Sequence, residues 1–260
     1  MFQKLLKLFG AYRLYEAWLI NSVKNGPMPK HVALILDGNR RWAKNKGFDH
    51  TFGHKIGADV AEKVLEWCIE LKIQTVTLYV LSTENLKRDQ EELSEIFRLI
   101  KERAERFVND PRIHNNRVKV TIIGRRELIP DDVRGALEKL ESVTKDYNNY
   151  FLNIAVAYGG RAEIVDATKK IAIMVKEGKL SVNDIDEKVI ESNLYTSGIP
   201  NSDPDLIIRT SGEERISNFL LWQSAYSELV FLDIFWPEFR KIDLLRTIRT
   251  YQQRNRRFGV

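Results

Sequence analysis

Apolar and polar positions alternate along this chain with two different periods. Short apolar runs rich in β-branched residues predict buried strands, and stretches with an apolar residue every third or fourth position predict helices. We expect strands at 31–36, 75–81, 118–123, 151–157, 205–209 and near 229–234. We expect helices at 54–71, 91–108, 131–147, 161–177, 186–194, 218–226 and 242–256. This alternation predicts an α/β fold with a mainly parallel central sheet covered by helices.

The chain reads as one domain with a separate amino-terminal segment. Its 260 residues lie within the range of a single α/β unit, and no repeat or Ser/Gly linker divides them. Residues 1–26 are expected to form a helical extension, and residues 27–260 the domain. Aromatic and basic residues alternate at helical spacing between Phe2 and Leu19. Two interpretations stay open: a helix lying in a membrane interface, or one docked on its own domain.

Polar clusters follow three of the predicted strands. The first comprises Asp37, Gly38, Asn39, Arg40 and Arg41; the second comprises Ser82, Thr83, Glu84, Asn85 and Arg88; the third comprises Arg209, Arg215 and Ser217. Because parallel strands bring their carboxyl ends to one edge of a sheet, these clusters are expected to share a pocket. Each has a plain alternative: a charged turn, a helix cap or a surface ion pair.

The residue types in these clusters suit phosphate and a hard cation. Glycine lets backbone approach a phosphate, and arginine forks donate to phosphate oxygens. The predicted helix at 218–226 would present its free N–H groups to an anion. Asp37 and Glu228 offer oxygen ligands to Mg²⁺. The apolar stripe of the helix at 91–108 faces either the core or a hydrophobic channel, with Glu92 on its polar side.

Composition excludes several classes of protein. The formal charge of +5 permits an anionic substrate or an acidic membrane surface, and it does not by itself indicate nucleic acid. A single cysteine, Cys68, excludes an internal disulfide and fits a reducing cytoplasm. The phosphate-loop, dinucleotide-binding, zinc-protease and hydrolase-elbow signatures are missing.

Taken together, the polar clusters resemble those of the cis-prenyltransferases, the undecaprenyl diphosphate synthase family. The matching segments run in family order through 37–43, 52–54, 78–79, 82–85, 153–155, 158–161, 208–213, 215–223, Glu228 and 236–237. The amino-terminal helix is similar to the extension of archaeal members. The resemblance implies repeated addition of isopentenyl diphosphate to an allylic diphosphate, with a Z double bond formed at each step, and a hydrophobic tunnel for the growing chain.

The resemblance also implies roles for individual residues. The allylic diphosphate would be bound by Asp37 with Mg²⁺, by the segment Gly38, Asn39, Arg40, Arg41 and Trp42, and by His50 and His54. The isopentenyl diphosphate would be bound by Arg209, Arg215, Ile216 and Ser217, with Glu228 completing the Mg²⁺ shell. Asn85 would act near proton removal, beside Ser82, Thr83, Glu84 and Arg88. Two questions stay open: whether Asn85 positions the substrate or accepts its proton, and whether Asp37 binds the metal or accepts the proton.

The implied assembly is a homodimer with composite active sites. In the family, a carboxy-terminal Arg-x-Gly reaches the partner's diphosphate site, and Arg257 and Gly259 match that pattern. The product would be a long polyprenyl diphosphate, a glycosyl carrier precursor released toward a membrane contacted peripherally. The primer would be geranylgeranyl or farnesyl diphosphate, and the archaeal resemblance favours geranylgeranyl diphosphate. Three positions depart from the common family pattern: His50 bears on contacts with the allylic diphosphate, which Lys46 would replace, Leu86 on primer selection and Val80 on product length.

Two other functions remain as alternatives. One is a non-catalytic subunit of a two-component cis-prenyltransferase, against which the intact Asp37 and carboxy-terminal tail argue. The other is a basic α/β protein that binds anions or RNA.

Overall fold

The computed structural model describes residues 11–254, and the core is a six-stranded parallel sheet in the order β3-β4-β2-β1-β5-β6. The strands are β1 (His31–Ile35), β2 (Thr75–Ser82), β3 (Val118–Ile123), β4 (Tyr150–Tyr158), β5 (Leu206–Arg209) and β6 (Glu228–Phe231). The helices are α1 (Ala11–Lys24), α2 (Asn39–Lys46), α3 (His50–Glu70), α4 (Gln90–Phe107), α5 (Pro111–Asn115), α6 (Asp131–Thr144), α7 (Gly160–Lys176), α8 (Glu187–Glu191) and α9 (Lys241–Gln253).

The register of the central strands brings the predicted polar clusters to one edge. Ile35 at the end of β1 pairs with Tyr79 of β2 on one side and with Arg209 of β5 on the other. The strands at this position are buried on both faces, as the apolar runs require. The six predicted strands and their shared carboxyl edge are confirmed.

Helices α3, α4 and α6 cover the part of the sheet that borders the site. Helix α4 begins at the cap Asp89, whose side chain accepts from the Glu91 backbone N–H, and buries Leu93, Ile96, Phe97, Ile100 and Ala104. Cys68 of α3 is fully buried, and burial raises the pKa of its thiol to about 12, so the thiol is inert.

The predicted helix at 218–226 is wrong. This segment folds as successive turns, and Ser217, Asn218 and Leu220 adopt positive φ angles that interrupt helical hydrogen bonding. An anion therefore meets no helix amino terminus there. The helix expected at 186–194 contracts to α8, and the helix expected at 54–71 begins earlier, at His50.

Helix α2 was not predicted, because the charged residues that follow the first strand are typical of a turn. Gly38 precedes it at φ 103°, a conformation that glycine adopts without strain. A Cβ on Gly38 would also meet the Phe235 ring at 2.7 Å. The chain thus turns tightly out of β1 and enters α2 at once.

Helix α1 lies against α9 and keeps a second face in solvent. Leu19 and Val23 are fully buried, and the Gln252 side chain donates to the Val23 carbonyl at 2.8 Å. Leu14 on the other face is 72% exposed, and Trp18 is 49% exposed, with the Arg249 guanidinium of α9 4.9 Å from the centre of its ring. The interpretation of α1 as a helix docked on its own domain therefore holds for one of its faces. Residues 1–10, including Phe2, lie outside the described residues. Across residues 11–254, no helix has the length and apolarity to cross a membrane.

Candidate active site

Asp37 lies at the end of β1 between two arginines. Its Oδ2 accepts from Arg209 Nη2 at 2.7 Å, and its Oδ1 accepts from Arg41 Nη2 at 3.2 Å. Burial disfavours ionisation, but the hydrogen bond and charge of Arg209, with the charge of Arg41, outweigh it and hold the pKa of Asp37 below its usual value. Asp37 is therefore an anionic carboxylate inside a cationic pocket.

Arg209 is the most deeply buried cation of the site, at 4% exposure. Its Nη1 donates to Ser217 Oγ at 2.6 Å and to the Arg215 carbonyl, which fixes the turn that carries both residues. Its Nε is buried with no hydrogen-bond partner. Since a buried donor without a partner is costly, this N–H is available to a ligand oxygen.

Asn85 and Ser82 form a closed turn after β2. The Ser82 backbone N–H donates to Asn85 Oδ1 at 3.3 Å, and the Asn85 backbone N–H donates to Ser82 Oγ at 3.1 Å. Thr83 Oγ1 donates to Glu84 Oε2 at 3.2 Å, and Glu84 Oε1 accepts from Asn218 Nδ2 at 2.8 Å. Glu84 thus joins the loop after β2 to the loop after β5.

Glu92 is a site residue that the sequence pattern missed. Its carboxylate is only 5% exposed and accepts from Arg88 Nη1 at 2.9 Å, and it lies 3.3 Å from His54 Nε2 and 3.5 Å from Arg40 Nη1. The helical pattern placed Glu92 on the polar side of α4. Its spacing of four residues from Arg88 was the available signal.

His54 faces this cluster from α3. Burial lowers the pKa of His54, the hydrogen bond to Glu92 opposes that shift, and the charge of Arg88 adds to it. His54 is therefore a neutral imidazole near pH 7, able to donate or accept one hydrogen bond. His50, one turn earlier on α3, has a buried Nε2 with no partner.

A cavity of about 920 Å³ begins at these polar groups and continues between the sheet and helices α3, α4 and α6. Its polar end is lined by predicted residues: Asp37, Gly38, Asn39, Arg40, Arg41, His50, His54, Ser82, Asn85, Arg88, Arg209 and Ser217. Its other end is apolar, lined by Ile96, Ile100, Phe107, Leu137, Leu140 and Leu152. The stripe of α4 is therefore a channel wall as well as a core face.

Several predicted site residues do not line this cavity. Trp42 stacks on Phe52 and donates to Glu238 Oε1 at 3.2 Å. Arg215 is an exposed ion-pair partner of Glu213. Thr83, Glu84, Ile216 and Leu86 also lie outside the lining, whereas Val80 belongs to it. Arg257 and Gly259 lie outside the described residues.

The structure does not bring Glu228 to Asp37 within one chain. Glu228 pairs with Leu206 and Leu206 with Val32, so Glu228 lies about 16 Å from the level of Asp37 along the strands. It starts β6 at the opposite edge of the sheet, where Arg254 Nη1 donates to its Oε2 at 2.9 Å. A magnesium shell made by both carboxylates of the same chain is therefore wrong.

Comparison with known proteins gives one consistent family. A family profile described as "Putative undecaprenyl diphosphate synthase" matches residues 35–259. The chain is 54% identical over 249 residues to a Pyrococcus abyssi protein named tritrans,polycis-undecaprenyl-diphosphate synthase (geranylgeranyl-diphosphate specific), covering 96% of this chain and 94% of that protein. It is 52% identical to a Thermus thermophilus isoprenyl transferase over 252 residues, 95% of each chain.

A solved structure gives the same result at the level of the fold. The crystal structure of lavandulyl diphosphate synthase from Lavandula x intermedia, in complex with dimethylallyl diphosphate, superposes with a TM-score of 0.87 at 34% identity. The match covers 90% of this chain and 99% of the plant enzyme. The chain belongs to the undecaprenyl diphosphate synthase family and is a cis-prenyltransferase.

Proposed function

We propose that this prenyltransferase elongates geranylgeranyl diphosphate with successive isopentenyl diphosphate units and makes a long Z-polyprenyl diphosphate such as undecaprenyl diphosphate. The observation that carries the proposal is the cavity itself, which joins a cationic end to an apolar channel. A diphosphate requires the first and a growing hydrocarbon tail the second. The Pyrococcus abyssi relative, named as specific for geranylgeranyl diphosphate, supports the choice of primer.

The allylic diphosphate is assigned to the turn that leaves β1. Negative charge builds on the departing diphosphate as the allylic C–O bond weakens, and fixed donors stabilise that charge. Arg40 and Arg41 line the cavity there, as does Gly38. The positive φ of Gly38 lets the backbone approach the phosphates closely. His54 lines the same end of the cavity, and its single N–H would have to leave Glu92 to donate to the diphosphate.

The isopentenyl diphosphate is assigned to Arg209 and Ser217. The free Nε of Arg209 and the hydroxyl of Ser217 are the polar groups of the loop after β5 that line the cavity. Arg215 is exposed and would join them through a movement of its long side chain. The two diphosphates then lie on either side of Asp37, which places the two substrates next to each other.

Asn85 fits a positioning role better than that of a base. Its Oδ1 already accepts from the Ser82 N–H, so the amide nitrogen, a donor, is its remaining polar group. Asp37 is also a weak proton acceptor, because Arg209 and Arg41 hold its pKa low. The chemistry of both residues favours binding and orientation, and the departing diphosphate is the stronger candidate for the proton acceptor.

Asp37 is the residue that would hold Mg²⁺. Across residues 11–254, no group of three or more His, Cys, Asp or Glu side chains is arranged for a metal. A single carboxylate nevertheless fits, because Mg²⁺ commonly binds one or two carboxylates together with substrate phosphates and water. When bound, Mg²⁺ neutralises charge on the diphosphate oxygens. Asp37 would exchange its contact with Arg41 for the metal, and the longer Arg41 contact makes that exchange the easier one.

The proposed assembly is a homodimer with composite sites. β6 is an edge strand, and Glu228 at its start contacts Arg254, which immediately precedes the tail that holds Arg257 and Gly259. If this tail reaches the diphosphate site of a partner subunit, Glu228 would lie close to that site, because it contacts the residue at which the tail begins. The exposed face of α1, with Leu14 and Trp18, is the proposed point of peripheral membrane contact.

The test is product formation by the purified protein. Radiolabelled isopentenyl diphosphate, Mg²⁺ and either geranylgeranyl or farnesyl diphosphate are incubated with it, and the butanol extract is chromatographed after dephosphorylation. We expect labelled long-chain polyprenol with a higher kcat/KM for the geranylgeranyl primer, and loss of product with EDTA. Absence of product with both primers would favour the non-catalytic subunit. Sedimentation of the same sample tests the dimer.

A further inference from the structure

Asn218 lies where the loops that follow three strands meet. Its side-chain Nδ2 donates to Glu84 Oε1 in the loop after β2, and its Oδ1 accepts from the Arg161 N–H at the start of α7, both at 2.8 Å. Its carbonyl oxygen accepts from the Gly160 N–H at 2.7 Å. Since Asn218 itself belongs to the loop after β5, one residue joins three separate loops at the polar edge of the sheet.

The space around the Asn218 side chain is closely matched to it. A Cβ on Gly159 would meet Asn218 Nδ2 at 2.7 Å and Thr83 Oγ1 at 2.6 Å, so glycine is required for the chain to pass here. Thr83 Oγ1 in turn donates to Glu84 Oε2 at 3.2 Å. Burial raises the pKa of Glu84, but its hydrogen bonds, including the one from Asn218, outweigh burial and hold the pKa below its usual value. Asn218 therefore donates to an anionic carboxylate.

The backbone at this junction is in a conformation that side chains disfavour. Ser217 and Asn218 have φ angles of 47° and 63°, in the left-handed region that non-glycine residues rarely adopt. Such angles cost free energy and persist only where surrounding contacts hold them. The bonds of Asn218 to Glu84 and Arg161 are contacts of this kind, because they tie the loop after β5 to two neighbouring loops.

Ser217 is the cavity residue that this junction holds in place. Its Oγ accepts from Arg209 Nη1 at 2.6 Å, and its carbonyl accepts from the Tyr79 hydroxyl at 3.4 Å. Both Ser217 and Arg209 line the cavity, whereas Asn218 does not. Asn218 can therefore act on a substrate only through the position of its neighbour Ser217.

We propose that Asn218 is a positioning residue for isopentenyl diphosphate: its hydrogen bond to Glu84 holds Ser217 beside Arg209 in the geometry that binds this substrate. The inference rests on the proposed function, which assigns isopentenyl diphosphate to Arg209 and Ser217. Without the bond, the loop relaxes from its positive φ angles and Ser217 Oγ leaves its place. Because the primer is assigned to the turn after β1, its binding does not depend on this bond.

The test exchanges donor and acceptor between positions 218 and 84. Asn218→Asp keeps the shape of the side chain and the acceptor for Arg161, but it sets a second carboxylate against Glu84. The double variant Asn218→Asp/Glu84→Gln restores the bond in the reverse direction and keeps the wild-type net charge. We expect Asn218→Asp to raise the KM for isopentenyl diphosphate about tenfold, with the KM for geranylgeranyl diphosphate unchanged. The double variant should return to near the wild-type value.

Two single variants serve as controls for this exchange. Glu84→Gln should raise the KM for isopentenyl diphosphate less than Asn218→Asp does, because a glutamine Oε1 still accepts from Asn218 Nδ2. Asn148→Asp adds the same charge on the exposed segment before β4 and should leave both KM values unchanged. A merely structural role for Asn218 would lower the thermal unfolding temperature without separating the two KM values.

Asn218→Gly keeps the test decisive if Asn218→Asp does not fold. Glycine adopts a φ of this sign without strain, so the variant removes only the side-chain bonds, and we expect a rise in the same KM that Glu84→Gln does not reverse. An unchanged KM for isopentenyl diphosphate in a folded variant, an equal rise for the primer, or a double variant no better than Asn218→Asp would overturn the inference. A wild-type protein that makes no prenyl product contradicts the proposed function instead.

Discussion

The two ends of the cavity are built by different parts of the chain. Strand ends and the loops that follow them supply most of the polar end, including Arg209, whose Nε is buried without a partner, and the start of helix α3 adds His50 and His54. Helices supply the apolar end, where packed side chains such as Ile100 and Leu140 fix a volume. Strand ends fix the positions of the charged groups, and the packed helices fix the volume available to a prenyl tail. Substitutions at the polar end should change reaction rates, and substitutions at the apolar end should change product length.

The largest effect is expected from Asp37→Ala. This change removes the carboxylate proposed to hold Mg²⁺ and leaves Arg209 without its anionic partner, whereas Arg41 keeps its ion pair with Glu213. By analogy with loss of an electrostatic transition-state contact, kcat should fall by about 10³-fold. Steady-state kinetics with geranylgeranyl diphosphate measures it, with circular dichroism to show that the fold is kept. Asp184→Ala, at an exposed turn, is the matched control. Near-normal turnover would remove Asp37 from the chemistry.

Asn85→Asp tests whether Asn85, at the polar end, acts as a hydrogen-bond donor that positions substrate or as a base that removes a proton. The aspartate has the same shape but cannot donate from the replaced nitrogen, and it adds negative charge beside diphosphates. If Asn85 positions substrate, kcat should fall by about 10²-fold. If it removes a proton, the variant keeps or gains activity, and the pH profile shows a new acidic limb. Asn183→Asp, on an exposed turn, should leave kcat unchanged.

Ala104→Trp addresses the other end of the cavity. The indole would fill the channel beside Arg103, so the main product should become shorter while the first condensation continues at a similar rate. Overpacking should also cost about 1–3 kcal/mol of stability. Chromatography of the extracted polyprenols measures the length, and Glu105→Trp on the outer face of α4 is the control. Full-length product from a folded Ala104→Trp variant would contradict a tail that runs along α4.

A last effect concerns stability at neither end of the cavity and serves as a reference for both. His31 lies at the opposite strand edge, where Nε2 contacts Thr77 Oγ1 and Nδ1 contacts the Asn201 carbonyl, both at 2.8 Å. Burial lowers the pKa of His31 to about 4. The unfolded chain therefore binds more protons between about pH 6.5 and 4, and the stability contributed by His31, on the order of 3 kcal/mol, is lost as pH falls through that window.

Urea unfolding at several pH values measures this contribution. His31→Gln should be less stable than the wild type at pH 7 and should lose less stability on acidification. Equal pH slopes for the two proteins would show that His31 does not titrate with unfolding. Product length should be the same in both, since His31 does not line the cavity.

Local pattern was sufficient for the strands and for the polar clusters that end them. The run 31–36 is apolar and bounded by Asp37 and Gly38, so its end could be located from the residues themselves. Parallel pairing then requires that Asp37, Asn85 and Arg209 lie near one edge. Most of the site residues predicted in this way line the cavity.

Local pattern failed where neighbours in space satisfy the backbone. The segment 218–226 has helical spacing, yet Asn218 accepts from the Arg161 N–H at 2.8 Å and Gln223 donates to buried Glu163. These contacts stabilise a turn with positive φ angles that propensity opposes. The prediction for Glu92 failed for a related reason. Its burial depends on Arg88 and His54, and His54 belongs to another helix.

The sequence by itself determined the strands, the kinds of charge at their ends and the apolar stripe of α4, because each depends on residues a few positions apart. Only the tertiary structure decided the strand order, the separation of Glu228 from Asp37, and the contact between Asn218 and Glu84. Each of these depends on which distant elements pack together, since burial and pairing are properties of the assembled core and not of a local period.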